Sequence, residues 1–166
     1  MTSVLPPFSE PSYRLPSCSL ITLTENEAGP LSEQLPAMDP WLSLGYSASG
    51  LLRYMLRSDP ALYRFVITIG PAMGGLVCVR YPWLRGPCLE LIAVLDQYRG
   101  QGIGREVVSW IQMQCPLAAP NIWTLTSSFN TAARSFYRSL GFSEMVSLPN
   151  LISPDSDEIL MRKKLK

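Results

Sequence analysis

Residues 89–114 constrain the fold of this 166-residue chain more than any other stretch. Leu89-Glu90-Leu91-Ile92-Ala93-Val94-Leu95 is an almost continuous apolar run of strand length, Arg99-Gly100-Gln101-Gly102-Ile103-Gly104 is a glycine loop, and Ile103 to Gln114 is apolar at helical spacing. A buried strand that breaks into glycines and re-forms as a helix aims successive backbone N–H groups and a helix dipole at one point. That point attracts phosphate, and a pyrophosphate is the expected ligand.

The glycine spacing narrows the choice, because each nucleotide loop needs bare backbone at different places. An NTPase loop needs Lys-Ser or Lys-Thr after its second glycine, and neither is here; the dinucleotide fingerprint needs glycine where Arg105 stands. What remains, Arg99-x-x-Gly102-x-Gly104 after a strand ending in Ala93-Val94, resembles the acetyl-CoA loop of the GNAT acyltransferase superfamily. Taken alone, such a turn is also compatible with a plain tight connection.

A second segment is similar to the same family. Asn121 to Thr126 alternates like a strand, and Asn130 to Phe142 reads as a helix with an asparagine N-cap and a glycine stop. The family's N-x-x-A-x-x-x-Y-x-x-x-G-F pattern is matched by Asn130, Ala133, Tyr137, Gly141 and Phe142. The resemblance covers most of the chain after about residue 18, the first half by pattern only.

Composition agrees with one globular domain: 47% hydrophobic and 16% charged residues can bury one sizeable core. A net charge of +1 leaves no broad field for nucleic acid or an anionic membrane, so any anion site is local. The apolar stretches are strand-length and the first residues lack an export pattern, so a cytoplasmic protein is expected. Cys18, Cys78, Cys88 and Cys115 fit no metal spacing and there is no histidine, so no metal is expected and the cysteines read as small core residues.

Pro6, Pro7, Pro11 and Pro16 mark residues 1–17 as an extended or mobile arm, leaving residues 18–166 as the domain. Ser19 to Thr24 reads as a strand, 27–37 and 47–57 as helices, 63–69 and 75–81 as a hairpin around Gly70-Pro71, and 144–148 and 158–162 as strands of the tail. The expected fold is α/β: a GNAT-like mixed, twisted sheet of about six to seven strands with helices on both faces. Glu158 to Arg162 is a candidate edge strand for pairing in a homodimer, the alternative being a monomer.

The resemblance implies acetyl-CoA as acyl donor. It places Ile92, Ala93 and Val94 along the pantetheine arm, puts the pyrophosphate on Arg99, Gly100, Gln101, Gly102, Ile103, Gly104 and Arg105, and brings Asn130, Ala133 and Tyr137 to the cofactor. An amine acceptor is mostly protonated near neutral pH, so a base is needed. Alternation puts Glu90 on one face with Ile92 and Val94, and the resemblance makes that position a base; a solvated glutamate, or one paired to Arg80, is the other reading. Tyr137 is the implied general acid, against an ordinary half-buried aromatic. A backbone N–H near Val94 or Leu95 is the expected oxyanion donor.

For the acceptor, the resemblance implies that the early helices and the loop joining them cover that end of the cleft, here Asp39, Trp41, Leu44 and Tyr46, where two aromatics and a carboxylate could receive an ammonium; they could equally be loop residues over the core. The arginines of the Arg80 to Arg85 turn would suit an acidic acceptor instead. The expected activity is direct transfer of acetyl to an amine of a small molecule, peptide or protein N-terminus. Cys88 as a covalent nucleophile, and a non-catalytic CoA-binding sensor whose arm contacts a partner, are the alternatives.

Overall fold

The computed structural model describes residues 5–165. Its frame is a hairpin, β3 (Leu62–Ile69) and β4 (Ala72–Trp83), turning through Gly70 at φ +57° and continuing antiparallel into β5 (Gly86–Val94). From β5 the chain crosses through α3 (Ile103–Gln114) to β6 (Asn121–Ser127), which lies parallel to β5. Helix α4 (Thr131–Ser139) then leads to the hairpin of β7 (Ser143–Ser153) and β8 (Ser156–Lys164). Before the frame come β1 (Ser12–Arg14), β2 (Ser19–Thr22), α1 (Glu25–Gln34) with a short 3-10 turn, and α2 (Ala48–Leu56). The sheet order is β1-β2-β3-β4-β5-β6-β8-β7.

Local chemistry explains where the helices begin. Thr24 and Glu27 close a capping box on α1, and the Ser47 hydroxyl accepts from the Gly50 N–H to start α2. Strand alternation then divides the core in two. Val77 and Val79 of β4 face α3 and α4 with Leu89, Val107, Trp110 and Met161, whereas Leu76 and Cys78 face α1 and α2 with Leu31, Leu51 and Met55. Each such buried aliphatic contributes about 1.5–3 kcal/mol, so both helical layers are held to the sheet. Among the described residues no helix is long and apolar enough to cross a membrane.

The structure departs from expectation in three places. Its sheet has eight strands, and the added one is β1, drawn from the proline-rich segment; Phe8 of that segment is buried against Tyr63, Tyr81 and Trp110. Closely spaced prolines disfavour a helix there, but a short edge strand tolerates them, and a buried aromatic anchors the segment. Second, Glu158 to Arg162 is not an edge: β8 is paired on both sides, and β7 is the outer strand.

The third departure is a β-bulge in β5. Cys78 pairs with Leu91 and Val79 with Leu89, so Glu90 is the extra residue. Its side chain turns toward α2, not to the face of Ile92 and Val94 as simple alternation predicts. One inserted residue reverses the parity of the strand before it.

Candidate functional site

The loop after β5 opens a cleft of about 700 Å³ lined by Ile92, Ala93, Val94, Arg99, Gly100, Gly102 and the first turn of α3, with Asn130, Ala133 and Phe136 opposite. Gly100 and Gly102 sit at φ +74° and +82°, a region that favours glycine, and a Cβ at either would meet nothing within 4 Å. No side chain caps α3, so its first-turn N–H groups, at Ile103, Gly104 and Arg105, face the cleft with the positive end of the dipole. The arrangement fits a pyrophosphate. Gly104 also lines the cleft, and a Cβ there would press on the Phe136 ring at 3.0 Å, so its bareness lets α3 pack against α4 as well. Arg99 reaches the Val94 carbonyl and Asp96 and lines the cleft, Arg105 lines it too, and Gln101 bonds the Gln97 carbonyl outside it.

Beyond the loop, β5 and β6 splay. They pair only at Cys88–Trp123 and Leu89–Thr124, and a gap opens past that point. The Leu95 N–H donates to the Gly74 carbonyl at 2.9 Å and so is already engaged. Alternation from that bond turns the Ile92 and Val94 N–H groups toward the gap, so of the expected pair Val94, not Leu95, has its N–H free to donate there.

Tyr137 stands at the gap. It is buried among Phe136, Phe142 and Thr124, and burial pushes its phenol up to about 12, slightly opposed by the Thr124 hydroxyl. It therefore keeps its proton at neutral pH. Asn130 N-caps α4, accepting from the Ala133 N–H at 3.1 Å, and also borders the cleft. Cys88 is buried and its thiol is pushed up to about 12 by desolvation first, then by Glu90, so it holds no thiolate with which to attack.

A second cavity, of about 390 Å³, lies on the α2 side of the gap and shares Trp41, Ile92, Asn130, Ala133 and Phe136 with the cleft, making one passage through the sheet. Glu90 is on its floor. Tyr54 Oη of α2 donates to Glu90 Oε2 at 2.6 Å, and Arg80 Nε donates to Oε1 at 2.5 Å, while Arg80 also holds Asp59 at 3.0 Å. Both oxygens of Glu90 are thus engaged, and its charge is balanced. The same pairing withdraws Arg80 from any role in receiving an acidic acceptor.

Trp41, Leu44 and Tyr46 line this cavity as expected. Asp39 does not; it borders the cleft at the glycine loop, and its Oδ1 accepts from the Ser43 N–H and hydroxyl. The carboxylates that line the cavity are Glu90 and Glu158, and sequence reasoning missed Glu158 together with Tyr54, Thr124 and Ser127. Glu158 heads the apolar run Ile159-Leu160-Met161, the same signal that singled out Glu90. Its Oε1 accepts from Ser127 Oγ at 2.7 Å, and burial raises its pKa, with Ser127 opposing.

Residues 63–144 match the family model described as "Acetyltransferase (GNAT) domain". No curated protein matches the sequence. Among solved structures, an acetyltransferase from Thermus thermophilus superposes with a TM-score of 0.71 at 16% identity, covering 90% of this chain and 97% of that one. The ribosomal-protein-S18-alanine N-acetyltransferase from Escherichia coli gives 0.66 at 19%, covering 90% and 94%. Spermidine N-acetyltransferase from Vibrio cholerae, in complex with CoA and spermine, gives 0.67 at 20%, covering 89% and 95%. At these identities the structures establish a shared fold.

Proposed function

The chain belongs to the GNAT acetyltransferase superfamily, and from that premise we propose that it is a cytosolic enzyme moving an acetyl group from acetyl-CoA directly to an amine of a small molecule, peptide or protein N-terminus. The observation that carries this reading is the passage through the splayed sheet. It links an anion-binding loop on one face to an aromatic, acidic cavity on the other, with Tyr137 at the crossing. The four free cysteines suit a reducing compartment.

Bound acetyl-CoA would supply the activated acyl group, its thioester carbonyl in the gap. The residues of the chain would do the rest. First-turn N–H groups of α3 hold the pyrophosphate, and Gly102 lets it approach the backbone. The Val94 N–H offers a fixed hydrogen bond to the carbonyl oxygen as charge grows there. Glu90, neutralised by Arg80, fixes the Tyr54 hydroxyl in the cavity wall. Tyr137 presents its proton to the leaving sulfur; a thiol near pKa 8.5 is more acidic than this phenol, so Tyr137 acts as a hydrogen-bond donor that passes on a proton only as it receives one.

Calorimetric titration with acetyl-CoA tests the reading. Wild type is expected to bind saturably and Gly102→Glu at least about 10-fold more weakly, because the added carboxylate enters the cleft and repels the pyrophosphate. Failure of wild type to bind would remove the acyltransferase reading, while binding without turnover on any amine would favour a CoA sensor.

A further inference from the structure

We propose that Glu158, rather than Glu90, receives the cationic end of the acceptor and takes its proton, which makes the acceptor an amine that arrives as an ammonium on an apolar or aromatic body. The proposal deepens the acetyl-transfer reading and rests on it. Two strands bring Glu158 to this place independently of the motifs. On β8, Ile159 and Met161 are built into the core beneath α3 and α4, so Glu158 faces the opposite side of the sheet, toward α2. The bulge in β5 sends Glu90 to that same side, and both carboxylates end in one cavity.

Their partners differ. Glu90 has an arginine and a tyrosine hydroxyl on its two oxygens. Glu158 is only 3% exposed, its carboxylate accepts one hydrogen bond, from Ser127, and among the described residues no Lys or Arg lies within 4.0 Å of it. Withdrawing a carboxylate from water without a cation is costly, and the cavity is where a cation can arrive. Trp41, Leu44, Tyr46 and Ile152 give that cavity apolar walls, and the Tyr46 phenol is raised by burial and then by Glu158 and Glu90 in turn. A cavity of about 390 Å³ takes an ammonium and a body the size of one aromatic side chain.

The proton count closes. An ammonium on entry gives one proton to Glu158, which later releases it to solvent. The freed nitrogen lone pair forms the N–C bond as the C–S bond breaks, and the second nitrogen proton reaches the sulfur through Tyr137. Amide, thiol and one proton are the products.

The test uses full-length protein saturated with CoA, which prevents turnover, and measures binding of 2-phenylethylamine against its neutral counterpart 2-phenylethanol. Wild type is expected to prefer the amine by about 10-fold or more, and Glu158→Gln, which keeps the Ser127 bond, to lose that preference while binding acetyl-CoA as wild type does. Ser127→Ala is a second variant: it keeps the preference but moves the acid limit of amine binding to higher pH, since the Ser127 hydroxyl favours the charged carboxylate. The other groups facing Glu158 are Tyr46 before α2, Tyr54 on α2, and Glu90 on β5 with its Arg80; β7 presents Leu148. Equal binding of amine and alcohol by wild type, binding of neither, or a preference surviving in Glu158→Gln overturns the assignment. Loss of acetyl-CoA binding by wild type would instead remove the acetyl-transfer reading beneath it.

Discussion

At the scale of single residues the site turns on which proton each group holds. The Tyr137 phenol, raised to about 12, stays protonated, so Tyr137→Phe is expected to lower kcat by about 10²-fold with little change in acetyl-CoA affinity. Steady-state rates and calorimetry on the same variant check this, and unchanged turnover would show Tyr137 to be only packing. Glu158 carries a stability signature as well. Its folded pKa lies above the unfolded value, so the folded state binds the proton more tightly. Stability is then fully present below the unfolded pKa and falls as pH rises through the folded one. Glu158→Gln should therefore melt higher than wild type at pH 7, and the difference should vanish in acid; a lower melting temperature at pH 7 would contradict the unpaired-carboxylate account.

At the scale of elements, the passage depends on where β5 can and cannot pair. Gly75 lies against β5 so closely that a Cβ there would sit 1.9 Å from the Ala93 carbonyl oxygen, a backbone atom that cannot swing aside. Gly75→Ala is expected to cost on the order of 3 kcal/mol and to reduce acetyl-CoA binding, because it pushes β5 at the residues lining the cleft. Urea unfolding and calorimetry together report both effects. The bulge at Glu90 belongs to this scale too. The alternating pattern was legible, but a single extra residue in one strand is decided by its partner strand, so the face of Glu90 was predicted wrongly. The glycine loop and the asparagine start and glycine stop of α4 were legible because each is local chemistry within a few residues.

At the scale of the whole molecule, the first strand and Phe8 tie the proline-rich segment to the core under α3. Phe8→Ala should destabilise the fold by about 3–5 kcal/mol in a denaturant titration, a large share of the total for a domain that is typically stable by about 5–15 kcal/mol. A change near zero would mean that the segment is not held there in solution. Composition could not foretell this docking, since the four prolines describe backbone freedom and say nothing about which aromatic finds a pocket. The sequence by itself determined the α/β layering, the strand-to-helix glycine loop with Gly100 and Gly102, and the placing of Asn130 and Tyr137 on one helix, because periodicity and glycine conformation act over short distances. Only the tertiary structure decided that Arg80 neutralises Glu90, that β8 is interior, and that Glu158 reaches the cavity on the α2 side without a cation. Those facts depend on which strands become neighbours and on which side chains meet across the gap between them, and contacts between residues far apart along the chain leave no pattern within any one segment.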